Sequence, residues 1–181
     1  IRPSRGLGDV YKRQLLTTLE NPLLTTIGGD VSINNTSLSN MNINGVDFQG
    51  ALSIENNTGL TNFIQDSISG IELDYTLNNN AFTNAIIGGG NINRSLIIEN
   101  NQGLEDITIN TINNLGRFLQ ITSNPDLTNI YIDNILNQGD NYGIIVRNNN
   151  LLKDFTINNM RYIKSSLDIY QNNSLENITL N

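Results

Sequence analysis

The sequence predicts an all-β fold, a parallel solenoid of about seven to eight coils, and three observations carry this prediction. A repeat of about 22 residues runs through most of the 181-residue chain. Within each repeat, apolar residues alternate with polar ones, as in a short strand with one buried face. Asparagine occurs 34 times and returns at one place in every repeat. Because a single coil cannot bury its apolar face alone, stacked coils must share one continuous core.

The first 14 residues, IRPSRGLGDVYKRQ, differ from the rest and contain four of the ten basic residues. They lack the apolar stretch of a signal peptide. They resemble translated sequencing adaptor, and a native basic tail is the alternative. We therefore divide the chain into a non-native or disordered segment, 1–14, and a single repeat solenoid, 15–181. The repeat pattern is still running at Asn181, so we expect a fragment truncated at its C-terminal end.

An apolar residue anchors each repeat, and from the second anchor onward the spacings are 22 to 25 residues. The anchors are Leu24, Leu38, Leu60, Phe82, Leu104, Leu127, Leu152 and Leu175. A pair of alternating apolar residues precedes each anchor after the first and predicts a strand. These pairs are Val31/Ile33, Leu52/Ile54, Leu73/Tyr75, Leu96/Ile98, Leu119/Ile121, Ile144/Val146 and Leu167/Ile169. A second strand follows each anchor, and its apolar column is interrupted at Gly29 and Gln65.

Asparagine stands three residues before every anchor. The eight positions are Asn21, Asn35, Asn57, Asn79, Asn101, Asn124, Asn149 and Asn172. Stacked amides at the corner of a coil can satisfy buried backbone groups and one another, and asparagine tolerates left-handed turns. We interpret this column as a structural ladder rather than a ligand site. A second polar column follows the anchors by two residues, and we interpret it in the same way: Asn40, Asn62, Asn84, Asp106, Asn129, Asp154 and Asn177.

Candidate ligand-binding residues are the outward ones, because the inward residues form the core. After the anchors the outward column is Asn42, Ile64, Ile86, Thr108, Tyr131, Thr156 and Thr179. Before the anchors it is Ser32, Ser53, Asp74, Ile97, Gln120, Ile145 and Asp168. Isoleucine beside threonine and tyrosine could form a flat patch that binds a partner. Scattered exposed apolar residues are also ordinary in β-sheets. One threonine per coil does not make the regular double array expected of an ice-binding surface.

Three stretches of the chain, LLTTIGGDVSINNTSLSNMNI, GALSIENNTGLTNF and SLIIENNQGLEDITI, resemble the receptor L-domain family. The resemblance covers Leu15 to Asn181. It implies a right-handed solenoid of the β-helix or leucine-rich-repeat kind, an extracellular or cell-surface location, and a binding or structural task. The absence of cysteine departs from the receptor lobes, which carry disulfides, and favours the wall-protein or microbial members. Ordinary leucine-rich repeats are the closest alternative fold.

The third coil departs from this pattern as well. An apparent insertion, IIGGGNIN, follows Phe82, and we expect a local distortion near Gly88 to Gly90.

Composition excludes several classes of function. Without histidine or cysteine, the chain cannot build Ser-His-Asp or Cys-His nucleophile systems, the usual zinc sites or disulfides, and we assign it no cofactor. A net charge of −7 argues against nucleic acid as a partner. No apolar run is long enough for a membrane span.

The expected function is therefore non-catalytic recognition or wall structure, with a protein or carbohydrate partner. The alternative is a polysaccharide-active enzyme on a parallel β-helix, because Glu105, Asp106, Asp126 and Asp154 lie on three consecutive coils. Paired carboxylates serve glycoside hydrolysis. Asp106 and Asp154, however, fall in the second polar column, where short polar residues are expected for structural reasons.

Overall fold

The computed structural model describes residues 18–20, 23–34 and 37–181, and in this part of the chain it contains 18 β-strands and no helix. Every strand pair is parallel, and strands that pair are separated by about one repeat in the sequence. This arrangement confirms the parallel β-solenoid of about seven turns. The predicted segment 1–14 lies outside the described residues.

One sheet contains seven strands and follows chain order from coil to coil. It is built from the alternating apolar pairs that precede the anchors. Its strands are β3 (Val31–Asn34), β6 (Leu52–Glu55), β8 (Tyr75–Asn78), β10 (Leu96–Glu99), β12 (Phe118–Thr122), β15 (Gly143–Arg147) and β17 (Ser166–Tyr170).

A second sheet also follows chain order, and it contains the strands after the anchors. Its strands are β2 (Thr26–Ile27), β5 (Asp47–Phe48), β7 (Asn62–Ile71), β9 (Asn84–Ile92), β11 (Asp106–Leu115), β13 (Asn129–Ile132), β14 (Ile135–Gln138), β16 (Asp154–Ile157) and β18 (Asn177–Leu180). A separate pair joins β1 (Thr18–Glu20) to β4 (Asn40–Asn42).

The long strands β7 and β11 each consist of two segments. In β7 the alternation of buried and exposed residues breaks at Asp66 and Ser67, which are both exposed. The first segment of each pairs with the first part of β9, which lies between them. The second segment of each pairs with the second part of β9 after a shift in register. A coil in the middle of the solenoid therefore presents three stretches of strand.

The core is one continuous cluster along the solenoid. Inward residues of the seven-stranded sheet, such as Leu52, Ile54, Leu96 and Ile98, have no exposed surface. Equivalent residues lie directly above one another, so each apolar side chain contacts its counterpart in the next coil.

In the third coil the predicted pair of inward residues is wrong. The inward pair is Tyr75/Leu77, which aligns with Leu52/Ile54, and not Leu73/Tyr75. Both pairs satisfy period-two alternation. In most coils the inward pair stands eight and six residues before the anchor, and neither apolar pair has this spacing from Phe82, because this coil is one residue shorter between its strand and its anchor. Consequently Thr76, and not Asp74, belongs to the outward column of this sheet.

The predicted distortion near Gly88 to Gly90 is present, but its cause is a deletion and not an insertion. Three positions separate Gln65 from Ile68 in β7, whereas two separate Ile87 from Gly89, the residues paired with them in β9. Gly89 has a φ of 103°. A Cβ on Gly90 would overlap the carbonyl oxygen of Ser69. The shortened corner therefore requires glycine.

Two buried glutamines bind the backbone of a neighbouring coil. Gln65 donates from Nε2 to the Met41 carbonyl at 2.7 Å and accepts from the Ile43 N–H at 2.9 Å. Gln138 donates to the Tyr162 carbonyl at 2.7 Å and accepts from the Lys164 N–H at 3.1 Å. Gln65 interrupts the apolar column in the sequence. Its side-chain amide makes the two hydrogen bonds to the Met41 and Ile43 backbone that strand pairing would otherwise supply.

No helix among the described residues is long and apolar enough to cross a membrane.

Replacing Gly90 by alanine should destabilise the fold by about 1–3 kcal/mol, because the new methyl group meets a fixed carbonyl. Gly29 is the control, since a Cβ there meets nothing within 4 Å and its φ is not positive. Gly29→Ala should change the free energy of unfolding by less than about 0.5 kcal/mol. Urea denaturation measures both variants, and equal losses would contradict the account of this corner.

Candidate functional site

A buried ladder of asparagine side chains runs along one corner of the solenoid. Each main-chain N–H and each Nδ2 donates to the Oδ1 of the asparagine in the following coil, at 2.9–3.3 Å. Each Nδ2 also donates to a carbonyl of the preceding coil, at 2.8–3.1 Å. The members are Asn57, Asn80, Asn101, Asn124, Asn149 and Asn172.

Five of the eight asparagines predicted for the ladder occupy it. Asn21 and Asn35 lie outside the described residues. Asn79 is a wrong assignment, and its neighbour Asn80 is the ladder residue. The members from Asn57 to Asn149 are at most 2% exposed, so their amides cannot reach a ligand in solvent.

Asn79 instead belongs to a column of left-handed residues that precede the ladder asparagines. Their φ angles lie between 53° and 58°. Asparagine is enriched in this region because its short polar side chain tolerates it. The Asn79 amide donates to Asn56 Oδ1 at 2.7 Å on the exposed side of the corner. The column consists of Asn56, Asn79, Asn100, Ser123, Asn148 and Gln171.

This left-handed column was missed at the sequence level, although a signal for it existed. In every described coil from the second onward, the ladder asparagine follows the second inward residue of the preceding strand by three positions, as Ile54 and Asn57 show. Counting from the strand rather than from the anchor assigns both columns in five coils from the sequence alone. In the third coil it assigns them once the inward pair is known to be Tyr75/Leu77.

The predicted outward column lies in register across six strands, from β7 to β18. The residues stack as Ile64, Ile86, Thr108, Tyr131, Thr156 and Thr179. Ile64 is 52% exposed and Tyr131 is 38% exposed. Because parallel strands lie about 4.8 Å apart, the column extends about 24 Å along the solenoid. Asn42, the remaining predicted member, is on β4, which pairs with β1.

We call this surface the Tyr131 face and include the two polar columns that flank the outward column. On one side lies the second polar column, Asn62, Asn84, Asp106, Asn129, Asp154 and Asn177. On the other side lie the residues that follow the last inward position of each four-residue stretch, Asp66, Gly88, Asn110, Asp133, Asn158 and Asn181. The face thus carries four carboxylates and no basic side chain among these positions.

The second polar column is an exposed surface row and not a buried ladder. Asn129 donates to Asp106 at 2.7 Å, and Asn177 donates to Asp154 at 2.7 Å. These bonds join neighbouring coils in pairs. The amide of Asn84 instead turns to the hydroxyl of Thr83 beside it. The amide and carboxylate groups of this row can therefore contact a partner that lies on the face.

Asp133 is held by two hydrogen bonds at the edge of the face. The Thr111 hydroxyl donates to one carboxylate oxygen at 2.8 Å, and the Asn159 amide donates to the other at 2.7 Å. The Thr111 bond, and after it the Asn159 bond, lower the pKa of Asp133 from its ordinary value of 3.8. Asp133 therefore keeps its negative charge over a wider acid range than a free aspartate.

Of the four acids named for an enzyme, Asp106, Asp126 and Asp154 have carboxylates that accept structural hydrogen bonds, and Glu105 takes part through its backbone. Asp106 and Asp154 each accept a hydrogen bond from an asparagine of the next coil. Asp126 accepts a bond from the Gly103 N–H at 3.0 Å. The Glu105 backbone carbonyl accepts from the Thr128 hydroxyl at 3.0 Å. Within the described ranges, no three Asp, Glu, His or Cys side chains come together as metal ligands would.

Comparisons of this chain with protein-family models, curated proteins and solved structures found no match.

Replacing Asn80 by alanine should destabilise the fold by about 1–3 kcal/mol, because it leaves buried backbone groups without partners. The control is Asn79→Gly, which removes the neighbouring exposed amide while keeping the left-handed backbone accessible, and should cost less than about 1 kcal/mol. Chemical denaturation compares the two. A larger loss of stability for Asn79→Gly than for Asn80→Ala would contradict the assignment of Asn80 to the ladder.

Removing the Thr111 hydroxyl should raise the pKa of Asp133 towards 3.8. The lowered pKa means that the unfolded chain binds a proton at this site more readily than the folded one. Asp133 therefore stabilises the fold above about pH 4, and this contribution is lost as the pH falls through the folded-state pKa. Carboxyl-carbon NMR titration of wild type and Thr111→Val measures the change. An Asp133 pKa that is the same in both proteins would contradict the assigned cause.

Proposed function

We propose that this chain is a non-catalytic recognition or structural module that works at the cell surface or outside the cell. It binds a protein or a glycan through the Tyr131 face. The observation that carries the proposal is the in-register outward column, in which Ile64 and Tyr131 stay exposed among threonines along six coils.

The chemistry of the face suits contact with an extended partner. A tyrosine ring offers apolar area and a hydroxyl at little cost in conformational entropy. Amides and carboxylates on both sides of the ring can hydrogen-bond to sugar hydroxyls or to peptide groups. The cavity beside Tyr75 and Gly89 holds about 10 Å³, which is too small for a metabolite. Binding on this molecule would therefore use a broad surface.

The proposed location rests on the sequence motif and not on the fold. The three stretches that resemble the receptor L-domain family have the repeat of cell-surface and secreted proteins. Because a fold does not imply a function, the solenoid alone does not choose between recognition and catalysis.

Binding of the labelled 181-residue chain to arrays of glycans and of extracellular proteins tests this proposal. Tyr131→Ala should weaken binding to the captured partner about tenfold or more, because exposed aromatic anchors often dominate an interface. Tyr162→Ala is the matched control, since Tyr162 is 52% exposed and lies off this face. Asp106→Asn tests the polar row, and the fold should tolerate it because other coils have asparagine at this position.

Two results would overturn the proposal. One is binding that Tyr131→Ala and Tyr162→Ala weaken equally. The other is release of shortened or unsaturated sugars when the chain is incubated with acidic polysaccharides, which would establish the polysaccharide-active enzyme.

A further inference from the structure

The Tyr75 hydroxyl is a buried polar group without a protein partner. Tyr75 is the first residue of β8, its side chain faces the core, and it has no exposed surface. Within the described part of the chain, its hydroxyl makes no hydrogen bond. Burial raises the pKa of this hydroxyl well above the ordinary value, so it stays protonated and able to donate. Buried hydroxyl groups almost always have a partner in folded proteins.

A small cavity adjoins Tyr75, and its origin is the shortened corner of β9. In the second segments of the long strands, Ile68, Gly89 and Ile112 stack in register. Glycine contributes no side chain to this column, and a cavity of about 10 Å³ lies beside it, lined by residues that include Tyr75, Ile68, Gly89, Gly90 and Ile112.

The size and lining of this cavity select one kind of occupant. About 10–15 Å³ of accessible volume accommodates one water molecule. Organic ligands and hydrated ions are larger. Buried water needs polar partners. Tyr75 and the three glycines from Gly88 to Gly90 line this mostly apolar cavity, and a glycine can contribute only backbone atoms to it.

We propose that this cavity is a binding site for a single internal water molecule, which accepts a hydrogen bond from Tyr75 and bonds to the glycine backbone. The deletion in β9 and the tyrosine in β8 then contribute to the same water site. The tyrosine occupies a position that is leucine in the coils before and after it, Leu52 and Leu96. The water completes the hydrogen bonding that the tyrosine requires.

A crystal structure of the chain at a resolution that shows ordered water tests the site directly. We expect density within hydrogen-bond distance of Tyr75 Oη and of the backbone at Gly88 to Gly90. An empty cavity would overturn the proposal, and this result does not depend on any variant.

A pair of variants tests the energetic role of the water. Tyr75→Phe should lower the midpoint of thermal unfolding, because it removes a partner of the bound water. Tyr142→Phe is the matched control, since the Tyr142 hydroxyl is also buried and makes no hydrogen bond to any described residue. Its midpoint should stay the same or rise, because the substitution removes an unsatisfied group. A midpoint for Tyr75→Phe that equals or exceeds that of wild type would overturn the proposal, provided circular dichroism shows a folded chain.

Discussion

The hydrogen bonds between buried asparagine amides hold one coil to the next at the corner where strand pairing stops. A solenoid must turn its chain inward at each corner, and there the backbone N–H and C=O groups lose their sheet partners. Each ladder amide satisfies a carbonyl of the preceding coil, while its own oxygen accepts two bonds from that coil. Removing one amide leaves several groups unsatisfied, because each Oδ1 accepts two hydrogen bonds and each Nδ2 donates to acceptors in neighbouring coils.

The corner also explains the asparagine-rich composition. Two different demands meet at consecutive residues, a left-handed backbone at one and a buried amide at the next, and asparagine suits both. Where only the backbone demand applies, the sequence is free to vary, as Ser123 and Gln171 show. At the ladder position all six described residues are asparagine, and the five from Asn57 to Asn149 are buried.

Much of the fold could be predicted from the sequence because a coil repeats both its length and its apolar alternation. The in-register column from Ile64 to Thr179 follows from that repetition. The errors fall where the repetition gives two equivalent answers. Leu73, Tyr75 and Leu77 alternate without a break, and the run from Asn78 to Asn80 offers three asparagines to one ladder position. The pairing of Tyr75 with Leu52 decides which residues face inward. This pairing depends on the neighbouring coil and is not visible in the residues of the third coil alone. The function of the face depends on a partner, which periodicity does not encode.

The ladder has a direction, and this direction has an electrostatic consequence. In every step from Asn57 to Asn149 the main-chain N–H and one Nδ2–H donate to the following coil, while each Oδ1 from Asn80 to Asn172 accepts from the preceding one. Aligned amide dipoles add, as the peptide dipoles of a helix do, and hydrogen-bonded chains polarise one another in a low-dielectric interior. The amide column therefore has a net dipole along the solenoid axis, whose positive side faces the following coils and whose negative side faces the preceding ones.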